Sequence, residues 1–345
     1  MDASRRTGGA GARRATPAWA LALLLALPPA VAQQQPGASP QAWAAAAALS
    51  RGIAVQHWPT QPAGESAQAD AGLVSAVAGA GFRSVQLPWP AAAGAAPDEA
   101  ALRRLDRLVD AFLARGLAVV LHDTDAAAAA CGGSAASSAP VAVSAPPAPL
   151  AAAAWQGLAR RHAGRSTRLM FMLSVASLAA ADAEQANRQL WRRLRAIRAA
   201  DPQRPVIVAW GDAINLPRLR LPPDPRLLVA VVNREPERFT HQGRPGIGEP
   251  AAAHCCDPRE SHLMGLPLDL AQAWSERHRV PVWLSGFGTV ASAPAPARAR
   301  HARLMRDAAE ARGLAWAYCA LDGDFGLRGG NPAAQAALQQ ALLGP

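Results

Sequence analysis

The sequence contains no lysine, so all 35 of its basic residues are arginine, and it has a single tyrosine and six phenylalanines. The four cysteines, Cys131, Cys255, Cys256 and Cys319, are too few and too irregularly spaced for a disulfide framework that would replace a hydrophobic core. One bridge is compatible with an oxidising compartment, and the spacing does not say which pair would form it. No apolar run reaches the roughly 20 residues needed to span a bilayer. A glycine-rich phosphate loop, a kinase signature and a serine triad are all missing, and Ser285 and Thr289 have no evident partner base. The net charge of +10 invites a nucleic-acid reading. Yet the arginines are spread along helix faces (Arg103, Arg104, Arg107; Arg192, Arg193, Arg195) without a dense cluster or interleaved aromatics, so a solvated surface is expected.

What is present begins with an export signal. Arg5, Arg6, Arg13 and Arg14 precede an apolar run from Ala18 to Leu27 and the small-residue site Ala30, Val31, Ala32, the pattern of a secretory leader cleaved after Ala32. Ala15, Thr16 and Pro17 replace the apolar residues that would follow a twin-arginine pair, which favours the Sec route to the periplasm or the exterior. Residues 33–50 form an N-terminal segment.

From residue 51 onward, strand and helix patterns alternate without a break. Strands are expected at Gly52–Val55, Ser84–Leu87, Leu117–Leu121, Leu169–Leu173, Val206–Ala209, Leu227–Val232, Val282–Leu284 and Ala315–Cys319. Several are continuous apolar runs, as in parallel sheets buried on both faces. Helices are expected over Asp70–Ala80, after an Asp98 cap, and over Ala151–His162, Asp182–Ala200, Leu268–Arg279, Pro296–Arg312 and Pro332–Leu343. Residues 126–149, rich in Ala, Ser and Pro, read as a low-complexity insertion. Eight such repeats predict a (β/α)8 TIM barrel over 51–345, with a doubly wound sheet as the alternative.

Several strand ends carry motifs in a recognisable order. They are Arg51, Gly52, Ile53 with Trp58; Val85, Gln86, Leu87, Pro88; the run from Leu105 to His122; Glu235, Pro236 followed by Phe239, Thr240, His241, Gln242, Gly243; Val280, Pro281, Val282 leading to Phe287, Gly288; and Glu310, Gly313, Trp316, Ala317, Tyr318 with Phe325, Gly326. Together they resemble the cellulase-like glycoside hydrolases of family 5 over most of Arg51 to Arg328. The resemblance implies a barrel acting on β-linked polysaccharide or oligosaccharide without a cofactor or metal. It also implies two catalytic glutamates, an acid/base after strand four and a nucleophile after strand seven. Those positions read Ala176 and Gly286, and neither side chain can donate a proton or attack carbon. The supporting positions differ too: Gln86 stands for an arginine, Val232 and Arg234 for His and Tyr, and Cys319 for a tryptophan.

Aromatic and polar residues past the strand ends remain as candidate sugar contacts: Trp58, Trp89, Trp210, Tyr318, His122, His241 and Gln242. Trp155, Trp191, Trp274 and Trp316 read as core. Asp123, Glu235 and Asp322 are the acids that could have taken over catalysis, with Asp125 and Asp324 nearby. His254, Cys255, Cys256, Asp257 and His262 are dense enough to suggest a metal, but adjacent cysteines rarely reach one ion, and a loop is expected there. The overall expectation is a monomeric, exported, catalytically inactive β-glycan-binding barrel. A hydrolase with relocated carboxylates and a scaffold in polysaccharide synthesis or export are the alternatives.

Overall fold

A computed structural model describes residues 37–55, 66–89, 99–123, 148–243, 255–328 and 331–345. Within it, β1 (Gly52–Ala54), β2 (Ser84–Trp89), β3 (Ala118–Asp123), β4 (Leu169–Ser174), β5 (Val206–Asp212), β6 (Leu227–Val232), β7 (Val282–Phe287) and β8 (Ala315–Tyr318) pair in sequence order into a closed barrel. Every pairing is parallel. The chain is therefore a (β/α)8 barrel, as the alternating pattern predicts.

The helices are α1 (Pro40–Ala48), α2 (Ser66–Ala80), α3 (Glu99–Ala114), α4 (Ala148–His162), α5 (Ala176–Ala181), α6 (Ala183–Ala200), α7 (Glu237–Thr240), α8 (Pro258–His278), α9 (Ala295–Glu310) and α10 (Pro332–Leu343), with a 3-10 helix at Ala213–Arg218. In α3, Leu105, Leu108, Val109 and Phe112 recur at helical spacing and are fully buried against the sheet. Helix α8 starts ten residues before its expected Leu268. Asp257 caps it by accepting from Glu260 N, while the Glu260 carboxylate accepts from Asp257 N.

Two apolar layers hold the barrel. Outward-facing residues such as Val85, Leu121, Phe171 and Leu284 pack under the helices. Ala118, Val120, Met170, Met172, Ile207, Ala209, Leu228, Ala230, Trp283 and Ala317 fill the lumen with Ala42, Ala45, Ala46 and Leu49 of α1. Helix α1 closes the N-terminal end of the barrel: Ala38 N donates to Arg279 O and Ser39 N to Pro225 O, both just before strands. The sequence pattern leaves this segment without a helix because a nearly all-alanine stretch has no apolar periodicity. Its legible signal is Ser39, whose side chain accepts from Ala42 N ahead of Pro40.

Gly52 is where α1 meets the barrel. A Cβ there would lie 2.5 Å from Ser84 Oγ and 2.9 Å from Ala317 Cβ, and the Ser84 hydroxyl is already committed to Leu49 O at 2.9 Å. Gly52→Ala is expected to cost about 1–3 kcal/mol through overpacking, measured as a lower urea midpoint with an unchanged slope. An unchanged midpoint would show that the lumen yields at this point.

Candidate functional site

The chemistry of such a barrel sits at the C-terminal ends of its strands. Side chains two apart on a strand share a face. The inward direction of Val120, Met172 and Trp283 therefore carries His122, Ser174 and Ser285 into the upper lumen. Gln86 joins them: its Nε2 donates to the Ser285 carbonyl at 2.8 Å, bridging β2 to β7 across the lumen. Where the resemblance implies an arginine steadying a nucleophile, a neutral amide ties two strands together.

Ala176 opens α5 directly after β4, and its Cβ would lie 3.3 Å from a Cβ placed on Gly211. Gly286 lies where the pairing of β7 with both neighbours slips in register. Neither seat holds a carboxyl group.

His122 is buried, and its Nδ1 donates to Asp123 O at 2.8 Å. Burial pushes its pKa down to about 4, with that hydrogen bond opposing the shift. The ring is neutral near pH 7, with Nε2 an acceptor suited to a hydroxyl.

The other candidates occupy different surroundings. Trp89, Trp210 and Tyr318 follow the opposite strand face and belong to the layer under the helices. Trp210 is fully buried, and its indole N–H donates to Asn215 O at 2.8 Å. Tyr318 packs edge-on against Phe287 with ring centroids 5.7 Å apart and accepts from Arg298 Nη2 at 3.3 Å. Their rings turn no face to solvent, which gives them packing roles where the sequence suggests sugar contacts. His241 and Gln242 are buried in the turn after β6. Gln242 Nε2 donates to Phe239 O at 3.0 Å, and His241 pairs through Nδ1 with Thr240 Oγ1 at 2.8 Å beside the Phe325 ring. Trp58 and Asp125 lie outside the described residues.

Among the candidate acids, Asp123 is buried and faces the helix layer, where it accepts from Ser174 N at 3.3 Å and Arg193 Nη1 of α6 at 3.5 Å. Glu235 and Asp322 are half-buried past β6 and β8. Glu235 is fixed by its backbone: its N–H donates to Asn233 Oδ1 at 3.0 Å, and its carbonyl accepts from His301 Nε2 at 3.0 Å. Asp212, at the end of β5 and without a motif around it, receives both bonds of Arg234 Nη2 at 3.0–3.1 Å. Nothing in the linear pattern pairs these two, because it is the pairing of β5 with β6 that sets Asp212 beside Val232, two residues before Arg234.

Cys255 and Cys256 are joined in a vicinal disulfide, and Cys319 at the end of β8 is also disulfide-bonded. The sulfurs of Cys255 and Cys256 lie with a Glu260 oxygen within 4.8 Å of one another, but both sulfurs are consumed in the bridge and Glu260 is engaged in the α8 cap. Where a loop was expected, Asp257 begins that capped helix, and His262 is exposed on it. His254 lies outside the described residues. No described helix is long and apolar enough to cross a membrane.

No family model matches the sequence. Over 223 residues, 63% of its length, the chain is 25% identical to Endoglucanase H of Acetivibrio thermocellus, and it spans only 22% of that protein. Endoglucanase Cel5A of Thermotoga maritima superposes with a TM-score of 0.70 at 21% identity, covering 87% of this chain and 99% of that one. The cellulose synthase subunit Z of Clostridioides difficile gives 0.66 at 20% identity, over 85% and 99%. A hyperthermophilic endo-beta-1,4-glucanase solved with its substrate gives 0.70 at 20% identity, over 88% and 99%. At such identities the structural likenesses establish the fold. By its sequence likeness to an endoglucanase and its closed eight-stranded parallel barrel, the chain is an endoglucanase homologue that resembles the cellulase-like glycoside hydrolases of family 5.

Proposed function

We propose that this protein is an exported, catalytically inactive barrel that binds a β-linked polysaccharide or oligosaccharide. The observation that carries the reading is the chemistry of two seats. A retaining glycosidase needs two carboxyl groups roughly 5 Å apart, one to protonate the leaving oxygen and one to trap the anomeric carbon. At the matching strand ends stand the methyl of Ala176 and the hydrogen of Gly286. The Gln86 bond to Ser285 supports the same view, since it fills the place of a nucleophile's partner with a strand tie. Asp123 weighs against a relocated acid, because its carboxylate is bonded to Arg193 on the helix side of the sheet. Binding would fall to the neutral His122 and the half-buried groups around the mouth. Export rests on the leader pattern before Gln33.

The test incubates the protein with β-glucans, mannan and xylan, measuring retention and new reducing ends together. Retention of a β-glucan without release is expected, with Asp123→Asn, Glu235→Gln and Asp322→Asn leaving the zero release unchanged. Reducing ends that vanish with any one of these substitutions would establish a working hydrolase instead. A second reading, a scaffold in polysaccharide synthesis or export, is favoured by the likeness to a protein named as a cellulose synthase subunit. Retention of no glycan in the same experiment would select it.

A further inference from the structure

Trp191, read from the sequence as core, is 39% exposed on the outer face of α6, which places an aromatic ring among arginines that the sequence pattern reads as a plain solvated face. Its indole N–H donates to Arg220 O at 2.8 Å, which fixes the ring against the turn before β6. Arg188, Arg192 and Arg195 are exposed on the same helix face, spaced one and two turns apart with Trp191 among them. The turn is pinned to this helix: Asn187 Nδ2 donates to Arg218 O at 3.0 Å, and Asn187 Oδ1 accepts from Arg220 N at 2.8 Å. Arg218 and Arg220 therefore stand beside the tryptophan, both exposed, with their guanidinium groups bonded to the carbonyls of Ala180 and Pro217 and, among the described residues, to no acid.

One acid on this face is Glu184, at 2.7 Å from Arg188. Arg192 and Arg195 have no carboxylate partner among the described residues. Like charges one turn apart repel, and a bound anion would relieve them. Along the axis the arginines are about 6 Å and about 10 Å apart, the order of one and two sugar units in an extended chain. A flat indole offers a stacking platform to a sugar ring, and arginine forks take carboxylates through paired hydrogen bonds.

We propose that this face of α6, with the turn carrying Arg218 and Arg220, is a docking surface for an acidic, carboxylate-bearing polysaccharide. The surface is separate from the strand ends and does not depend on what the barrel mouth binds.

The test is affinity electrophoresis of the protein through gels containing polygalacturonate or a neutral β-glucan, with anionic phospholipid vesicles and duplex DNA as parallel probes. Polygalacturonate is expected to retard the protein. The double change Arg192→Glu, Arg195→Glu should weaken that binding by about tenfold or more and leave neutral β-glucan retention unchanged, with Arg192→Gln, Arg195→Gln as the milder pair should the reversal disturb folding. Trp191→Ala should weaken it by about fivefold, while Trp191→Phe keeps most of it. Unchanged retardation in both arginine pairs would overturn the proposal. So would a surface that binds vesicles or DNA as tightly as polygalacturonate and ignores Trp191→Ala, which would mark a nonspecific basic patch.

Discussion

Arg204→Met is expected to destabilise the protein by about 3–5 kcal/mol, the range for removing one partner from a buried ion pair. Arg204 lies in the turn between α6 and β5, 2% exposed. Its Nε donates to Asp201 Oδ2 at 2.9 Å, Nη1 to the carbonyls of Ser166 and Leu169 at 2.7 and 2.9 Å, and Nη2 to those of His162 and Arg165 at 2.8 and 3.3 Å. The carbonyls of His162 and Arg165 come from the C-terminal end of α4 and the turn after it, where helix geometry leaves oxygens without internal donors. The guanidinium also lies over the Phe171 ring, 5.5 Å from its centroid. Burial pushes its pKa down and Asp201 opposes the shift, but an arginine stays charged at any ordinary pH. Methionine fills the volume while removing a donor from four carbonyls, of which those of His162 and Ser166 keep a backbone N–H, and it strips the buried Asp201 carboxylate of its ion-pair partner. Arg204→Lys should recover only part of the loss, because a lysine lacks the planar fork that reaches several acceptors at once. Thermal melts would show the loss as a fall of roughly 10 °C. A melt within about 2 °C of the parent would mean that water replaces these bonds at little cost.

Acidification from pH 7 to pH 5 should remove a further large share of stability. Burial pushes the pKa values of His122, His162 and His301 from 6.5 down to about 4 in the folded chain. For His162 the neighbouring Arg165 adds to the shift. His301 is held neutral between two partners, Thr289 Oγ1 at 3.0 Å and the carbonyl of Glu235 at 3.0 Å, the latter requiring the proton on Nε2. Because the folded values are the lower ones, the unfolded chain takes up protons first. Stability is therefore full above about pH 6.5, declines as pH falls toward 4, and loses nothing more from these groups below that. Each histidine contributes on the order of 2 kcal/mol to the loss at pH 5 and about 3 kcal/mol at pH 4. Three together rival the whole stability of an ordinary domain. Urea midpoints measured every half unit between pH 7 and pH 5 should drop steadily, and His301→Gln should reduce that slope by about a third. A flat profile over the window would show that these rings are protonated in the folded state.

Much of the fold was legible because strands buried on both faces read as continuous apolar runs, and all eight run where the sequence puts them. The ends were less legible. β5 and β7 run three residues beyond Ala209 and Leu284, through Gly211, Ser285 and Gly286, which carry no apolar signal. Pairing slips at Ala209/Gly211 and between Leu284 and Phe287 bend the same region, as bulges do near barrel rims. The helix Ala176–Ala181 went unread because a six-residue segment with Leu178 as its one large apolar side chain gives no amphipathic stripe.

The sequence by itself determined the parallel barrel, the order of its strands and the presence of a methyl at Ala176 and a hydrogen at Gly286, because apolar runs and the identity of a side chain are local facts. Only the tertiary structure decided which way the strand-end residues face: His122 into the lumen, Asp123 onto Arg193, Trp89, Trp210 and Tyr318 under the helices, and Trp191 out to solvent. A strand that is apolar on both sides has no alternation to declare its inner face, so that direction is set when eight strands close on one another.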